Sequence, residues 1–264
     1  MKLTVSGHSC HVATGGRPFN EGADTVIFIH GSGQSHLSWV LQTRYCAYDG
    51  YNVIAPDLPG HGLSDGEPLA SIEDMAGWVL ELMDSLKIEQ AHLVGHSQGG
   101  LVMLAAAAKA PQRFRKLAFI ATALAIPVND FLIDASVSKP EVAIKMMTGW
   151  GHGPKAHMHD NTQPGFSHLG FGRNLMARNA DTALHADLVA CNQYDGGAEA
   201  ASALAHDALV ILAGADKMTP VKAGLKLASA LGSSSHVIID GAGHMLPSES
   251  PDEVNHHLMA FLSA

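Results

Sequence analysis

Ser97, Asp216 and His244 are of the residue types that together turn a hydroxyl into a nucleophile. A serine hydroxyl alone is weak; it needs a base to take its proton, and the base needs a carboxylate to hold its ring. Ser97 lies in Gly95-His96-Ser97-Gln98-Gly99, between the apolar run Ala91-His92-Leu93-Val94 and the alanine-rich stretch from Leu101 to Ala108. Strand, tight turn and helix are the setting in which G-x-S-x-G holds its serine strained and clear of the strand end. The following helix N-terminus favours negative charge at that point. The pattern alone is cheap in a chain with 27 glycines; the flanking elements give it meaning.

His244, in Gly241-Ala242-Gly243-His244, follows the last strand signal, and Asp216, in Gly214-Ala215-Asp216, follows the one before it. Both are expected on loops at the sheet edge that carries Ser97, in the chain order Ser, Asp, His. A surface histidine among 17 and a solvated turn aspartate are the plainer readings. Position after strand ends favours the catalytic ones. Asp207 precedes its strand, at the wrong end of the sheet, and Asp240 lies too close to His244 along the chain.

Carbonyl attack creates an oxyanion that needs preorganised donors. The backbone N–H of Gln98, next to the nucleophile, is one. The second is expected from His30-Gly31-Ser32-Gly33, after the strand ending at Ile29, with the N–H of Ser32 favoured and Gly33 its rival. His30 is read as fixing this loop through a hydrogen bond, and His96 as structural.

The elements that must position these residues alternate. Lys2–Ser6 and Cys10–Ala13 predict a hairpin around Gly7. Thr25–Ile29, Val53–Ala55, Ala91–Val94, Lys116–Ile120, Ala208–Ala213 and His236–Ile239 predict strands. Ser71 predicts a helix cap, with the helix running to about Leu86. Thr219-Pro220 and Ser250-Pro251-Asp252-Glu253 predict two more helix starts, the latter a capping box. This rhythm predicts an α/β fold with a mostly parallel sheet flanked by helices. From Val128 to His206 strand signals vanish, and helices are predicted near Glu141–Thr148 and Thr182–Cys191, with Gly149–Pro154 opening a loop between them. Residues 1–127 and 207–264 are therefore read as the core and 128–206 as a helical cap.

At 264 residues, 47% hydrophobic and 16% charged, the chain has the composition of an ordinary globular domain. A net charge of -9 argues against nucleic acid, which needs clustered Lys and Arg. No apolar run reaches the ~18–20 residues of a membrane span, and the start breaks its apolar character too soon for a secretory signal. Cys10, Cys46 and Cys191 form no C-x-x-C and suggest reduced thiols. A cytoplasmic location is expected; the oligomeric state is left open.

The chain resembles the α/β-hydrolase superfamily over essentially its whole length. The matching pieces are His30-Gly31-Ser32-Gly33, Pro56-Asp57-Leu58-Pro59-Gly60-His61-Gly62-Leu63-Ser64, Gly95-His96-Ser97-Gln98-Gly99-Gly100, Gly214-Ala215-Asp216 and Gly243-His244. The resemblance implies an eight-stranded sheet with a cap between its sixth strand and the acid. Serine at the nucleophile speaks against haloalkane dehalogenases and the usual epoxide hydrolases. The compact form looks like carboxylesterases, enol-lactone hydrolases and cofactor-free haloperoxidases. Hydrolases of C–C bonds usually carry proline and tryptophan where Gln34 and Met245 stand.

The expectation is a serine hydrolase of small to medium carboxylic esters, with no cofactor, no metal, and a small-molecule ester as its partner. Gly31, Gly33, Met146, Trp150 and Met245 are expected to bind substrate. His152, His157, His159 and His168 are read as a polar loop rather than a metal site. Lactone, C–C or thioester hydrolysis, hydroxynitrile lysis on the same triad, and a non-enzymatic small-molecule receptor are the alternatives.

Overall fold

Successive residues of a strand face opposite sides, so a strand covered on both faces must be apolar throughout. In the computed structural model, which describes residues 1–158 and 165–264, this holds for the third strand. Val26 and Phe28 pack on one side, and Ile27 and Ile29 on the other.

The hairpin is present as β1 (Lys2–Val5) and β2 (His8–Ala13), paired antiparallel. There follow β3 (Thr25–Ile29), α1 (Val40–Tyr48), β4 (Asn52–Pro56), α2 (Ile72–Ser85), β5 (Ala91–His96), α3 (Gln98–Lys109) and β6 (Phe114–Ile120). Then come α4 (Asp130–Ser138), α5 (Pro140–Gly151), α6 (Pro154–His157), α7 (His168–Ala177), α8 (Leu184–Gln193) and α9 (Gly197–Ala203). The chain closes with β7 (Asp207–Ala213), α10 (Val221–Ala230), β8 (Ser233–Ile239), α11 (Leu246–Glu249) and α12 (Pro251–Ser263). The eight strands form one sheet in the order β1-β2-β4-β3-β5-β6-β7-β8. Pairing is antiparallel from β1 to β4 and parallel from there on. Helices α2 and α3 cover one face with Met75, Val79, Leu82, Leu101 and Val102. Trp39, Cys46 of α1, and Val254 and Leu258 of α12 cover the other.

Between β6 and β7 a third apolar cluster forms from Leu132, Ala143, Ile144, Met147, Met176, Leu184 and Leu188. The insertion thus has a small core of its own. It is not separate throughout its predicted span. Ala200, Ala201 and Leu204 join the main core, so α9 belongs to the body rather than to a cap ending at 206. Helix α5 also continues through Gly149, Trp150 and Gly151, which the sequence pattern assigned to a loop.

Two predicted helix starts differ in detail. Helix α10 begins at Val221 rather than at the proline, because Thr219 turns inward instead of capping. Ser250 precedes α12, but its side chain makes no capping bond, so the capping box read from Ser250-Pro251-Asp252-Glu253 is not formed. Ser71 does cap α2, accepting the Asp74 N–H at 3.0 Å.

Candidate active site

Ser97 connects β5 to α3 with φ 53° and ψ -122°. A non-glycine residue at positive φ is costly and persists only where its surroundings over-determine it. Here they do. The Ser97 N–H donates to the Ile120 carbonyl at 3.0 Å, and its carbonyl accepts the Gly100 N–H at 2.9 Å and the Thr122 hydroxyl at 2.8 Å. Gly99 lets this turn press onto β3, since a Cβ there would strike the Ile29 carbonyl oxygen. Ser97 is 7% exposed, and among the described residues its hydroxyl has no hydrogen-bond partner.

Asp216 and His244 project from the loops after β7 and β8. His244 Nδ1 lies 2.8 Å from Asp216 Oδ2. The same carboxylate accepts the Thr219 hydroxyl at 2.8 Å and the N–H groups of Met218 and Thr219 at 2.7 and 2.9 Å. Burial would raise the Asp216 pKa, but the His244 partner and the Thr219 donors outweigh it and hold the carboxyl below its usual range. A carboxylate facing Nδ1 fixes the proton there and leaves Nε2 its lone pair. Asp207, the rejected rival, accepts the Ser233 hydroxyl where β7 begins.

Both histidines read as structural brace this centre. His96 Nε2 donates to the His244 carbonyl at 2.8 Å, and the two rings lie 4.9 Å apart. Burial, with His244 beside it, pushes the His96 pKa down to about 3. His30 Nδ1 donates to the Gly31 carbonyl at 3.0 Å, and Nε2 accepts the Leu58 N–H at 3.2 Å.

Among the described residues the backbone N–H groups of Ser32 and Gln98 have no hydrogen-bond partner; the Gln98 N–H is the first of α3, where no intrahelical carbonyl exists. Gly33, the rival donor, is already engaged: its N–H donates to Asp187 at 2.7 Å.

A cavity of about 150 Å³ opens over Ser97. It is lined by Ser32, Ser97, His244, Leu132, Met147, Trp150, Met176, Leu188, Met218 and Met245, among others. Of the residues expected to bind substrate, Trp150 and Met245 are on this lining. Met146 is not: one residue earlier on α5, it is turned about 100° away and packs against the insertion's core, and Met147 lines the cavity instead. Gly31 and Gly33 also lie off the lining. Gly31 fits against the Ser97 Cβ, and Gly33 faces α8. Gln34 and Met245, the departures from the C–C hydrolase pattern, contact each other at 3.3 Å (Nε2 to Sδ).

Sequence reasoning passed over Thr219, Glu249, Asn179 and Asp187. Glu249 Oε2 accepts the N–H groups of Gly153 and Gly243 at 2.8 and 3.2 Å, joining the insertion to the His244 loop. Asn179 Nδ2 donates to the carbonyls of Gly33 and Gln34 at 3.0 and 2.7 Å. The bonds of Glu249 to Gly153, of Asn179 and of Asp187 are long-range contacts without a local pattern; of the four residues only Thr219, in Thr219-Pro220, carried a signal, and it read as a helix start.

His152 and His157 bond to the Thr148 and Gly149 carbonyls, and His159 lies outside the described residues. Among the described residues, one set of three metal-ligating side chains comes together, His11, His36 and Asp57. Asp57 there accepts the His36 N–H and Nδ1 at 2.7 and 2.8 Å and the Leu63 N–H at 2.9 Å. Its oxygens are satisfied by protein donors, so the set fixes a loop. No helix among the described residues is long and apolar enough to cross a membrane.

A mostly parallel sheet with a serine elbow at one strand end and an acid and a histidine after the last two strands defines a class. The chain belongs to the α/β-hydrolase superfamily. Residues 24–143 match the family model for the alpha/beta hydrolase fold, and residues 178–264 match that for TAP-like proteins. The dihydrolipoyllysine-residue acetyltransferase component of the acetoin cleaving system of Cupriavidus necator is 45% identical over 100 residues. That match spans 38% of this chain and only 26% of that protein. The enol-lactonase from Burkholderia xenovorans LB400 superposes with a TM-score of 0.89 at 23% identity, covering 100% of both chains. A thermophilic esterase gives 0.83 at 26% identity, covering 100% of this chain and 96% of its own.

Proposed function

We propose that the protein is a serine hydrolase that cleaves carboxylic esters with small acyl groups through an acyl-enzyme. The observation that carries this reading is the 2.8 Å pairing of Asp216 with a histidine that shares one cavity with the strained Ser97. His244 Nε2 takes the Ser97 proton as Oγ bonds to the ester carbonyl carbon. The N–H groups of Ser32 and Gln98 hold the oxyanion, and Asp216 steadies the imidazolium. The C–O bond to the alcohol then breaks, and His244 gives that oxygen its proton. Water attacks the acyl carbon with His244 again as base, the acid departs, and Ser97 regains its proton.

The cavity favours the small end of the ester range. Pockets for drug-sized ligands measure roughly 300–1,000 Å³, whereas about 150 Å³ suits a short acyl chain. The likeness to an esterase supports the ester reading, and the likeness to an enol-lactonase makes lactones the competing substrates to include.

The test is steady-state hydrolysis of p-nitrophenyl esters of rising chain length beside lactones, with Ser97→Ala as control. Acetate to butyrate esters are expected to turn over fastest, and Ser97→Ala to lower kcat on the order of 10⁴-fold or more. Equal turnover by Ser97→Ala would remove the mechanism. Binding of these compounds without turnover by the unsubstituted protein would favour a receptor.

A further inference from the structure

One helix of the insertion, α8, lines the cavity that Ser97 and His244 share. Asp187, on α8, is fully buried. Its Oδ2 accepts the Gly33 N–H at 2.7 Å and lies 2.9 Å from His61 Nε2. His61 Nδ1 lies 3.0 Å from the Pro59 carbonyl. Both ring nitrogens thus face acceptors, and an imidazole can donate from both only as the imidazolium. His61 and Asp187 are therefore a buried ion pair, with Gly33 as a third partner.

The same helix reaches the rest of the donor loop. Cys191, one turn after Asp187, places its Sγ 3.5 Å from the Ser32 hydroxyl. Leu184, one turn before, lies 2.7 Å from where a Gly33 Cβ would stand, at φ +65°, so only glycine fits. The Asp187 carbonyl accepts the Gln98 side-chain Nε2 at 3.2 Å. One face of α8 thus touches both residues whose backbone N–H groups point to oxyanion binding. Leu188 and Cys191 of this helix also line the cavity.

We propose that Asp187, held by His61, is a positioning residue for the oxyanion site: it draws the Gly33 N–H away and so fixes the loop in the one conformation that presents the Ser32 N–H. This rests on the serine hydrolase reading above. An uncompensated carboxylate in this dry position would be costly, so the arrangement depends on the His61 charge. The groups facing His61 are Asp187, Asp57 and His30, whose ring lies 4.8 Å away. Burial and the nearby His61 push His30 down to about 4, so it is neutral near pH 7. Beside Asp187, burial pushes the Cys191 thiol up to about 12, so it too is neutral. Burial alone would lower the His61 pKa, but Asp187 and the Pro59 carbonyl raise it above the ordinary value. Rising pH removes this proton, strands Asp187 and loosens the loop.

The test compares Asp187→Ala, Asp187→Asn and His61→Gln with the unsubstituted protein and Ser97→Ala on p-nitrophenyl acetate across pH. Asp187→Ala is expected to lower kcat about 100-fold, the scale of a lost oxyanion donor, with KM changed less than about threefold. Asp187→Asn keeps an oxygen for the Gly33 N–H and loses about tenfold or less. The alkaline decline in kcat of the unsubstituted protein is expected to vanish in all three variants. Unchanged kcat in Asp187→Ala, or a loss carried by KM alone, overturns the proposal. So does an alkaline limb retained in His61→Gln, which decides the matter should Asp187→Ala fail to fold. Turnover unchanged by Ser97→Ala would instead overturn the underlying mechanism, so the two failures are distinct.

Discussion

The two sides of the cavity are built by different parts of the molecule. On the base side, Asp216 and His244 are fixed by neighbours on adjoining core elements: Thr219, Met218 and His96. On the donor side, the Ser32 loop is held by Asp187, Asn179 and Leu184, all from the insertion. The insertion reaches the base side as well, where Glu249 links Gly153 to Gly243 and the Met245 N–H donates to the Gly151 carbonyl, but among the described residues Asp216 itself is bonded only within the core. The Ser32 loop is thus bonded to and packed against the insertion. Asp216 and the Ser32 loop therefore answer to different structural inputs, and Leu188 and Cys191, on the helix that holds that loop, line the cavity.

The largest expected effect lies on the base side. Asp216→Asn places an amide donor against His244 Nδ1 and favours the wrong tautomer. A fall in kcat on the order of 10⁴-fold is expected, read with p-nitrophenyl acetate, and a loss below about tenfold would break the assignment of the acid. On the donor side Asn179→Ala removes two bonds to the loop carbonyls and the acceptor of the Gly62 N–H. We expect kcat to fall about tenfold, and stability to drop by about 1–3 kcal/mol in urea denaturation from net hydrogen-bond loss. If Asn179→Ala costs stability alone, the insertion holds the donor loop without tuning it.

The smallest effect separates the sides by sign. His96 on the base side is neutral when folded, with its pKa pushed down to about 3. The unfolded chain binds this proton near pH 6.5, so stability falls as pH drops below about 6.5 toward about 3. His61 on the donor side has a raised pKa. Its contribution is fully present below about 6.5 and is lost as pH rises through the folded value. Denaturation midpoints measured from pH 5 to 9 should lose part of their acid-side slope in His96→Asn and part of their alkaline-side slope in His61→Gln. Identical slopes in both variants would show that neither histidine is held as described.

What the sequence made legible follows this division. Ser97, Gln98, Asp216 and His244 sit where strands end, and strand ends show as apolar runs closed by glycine or a turn. The sheet was readable for the same reason: a strand buried on both faces cannot hide its composition. Asp187 and Asn179 have no such signature. Asp187 is one polar residue on a helix whose buried face mixes Leu, Asp and Cys, Asn179 sits in the turn before that helix, and the Gly33 that both bond lies more than 140 residues away. Met146 and Met147 differ by one position, and only the docking of α5 decides which side chain lines the cavity. Gly33 was readable as a close-approach glycine, but the neighbour requiring it was Leu184 rather than a ligand.

Glu249 gives the insertion a second anchor, far along the chain from the Asp187 corner. The cavity also has an exposed rim. The lining residues exposed there are Pro127, Asn129, Trp150 and Lys217. For the hydrolase proposed above these side chains form the doorway, and substitutions at Trp150 and Lys217 are expected to change entry and exit rather than the chemistry at Ser97.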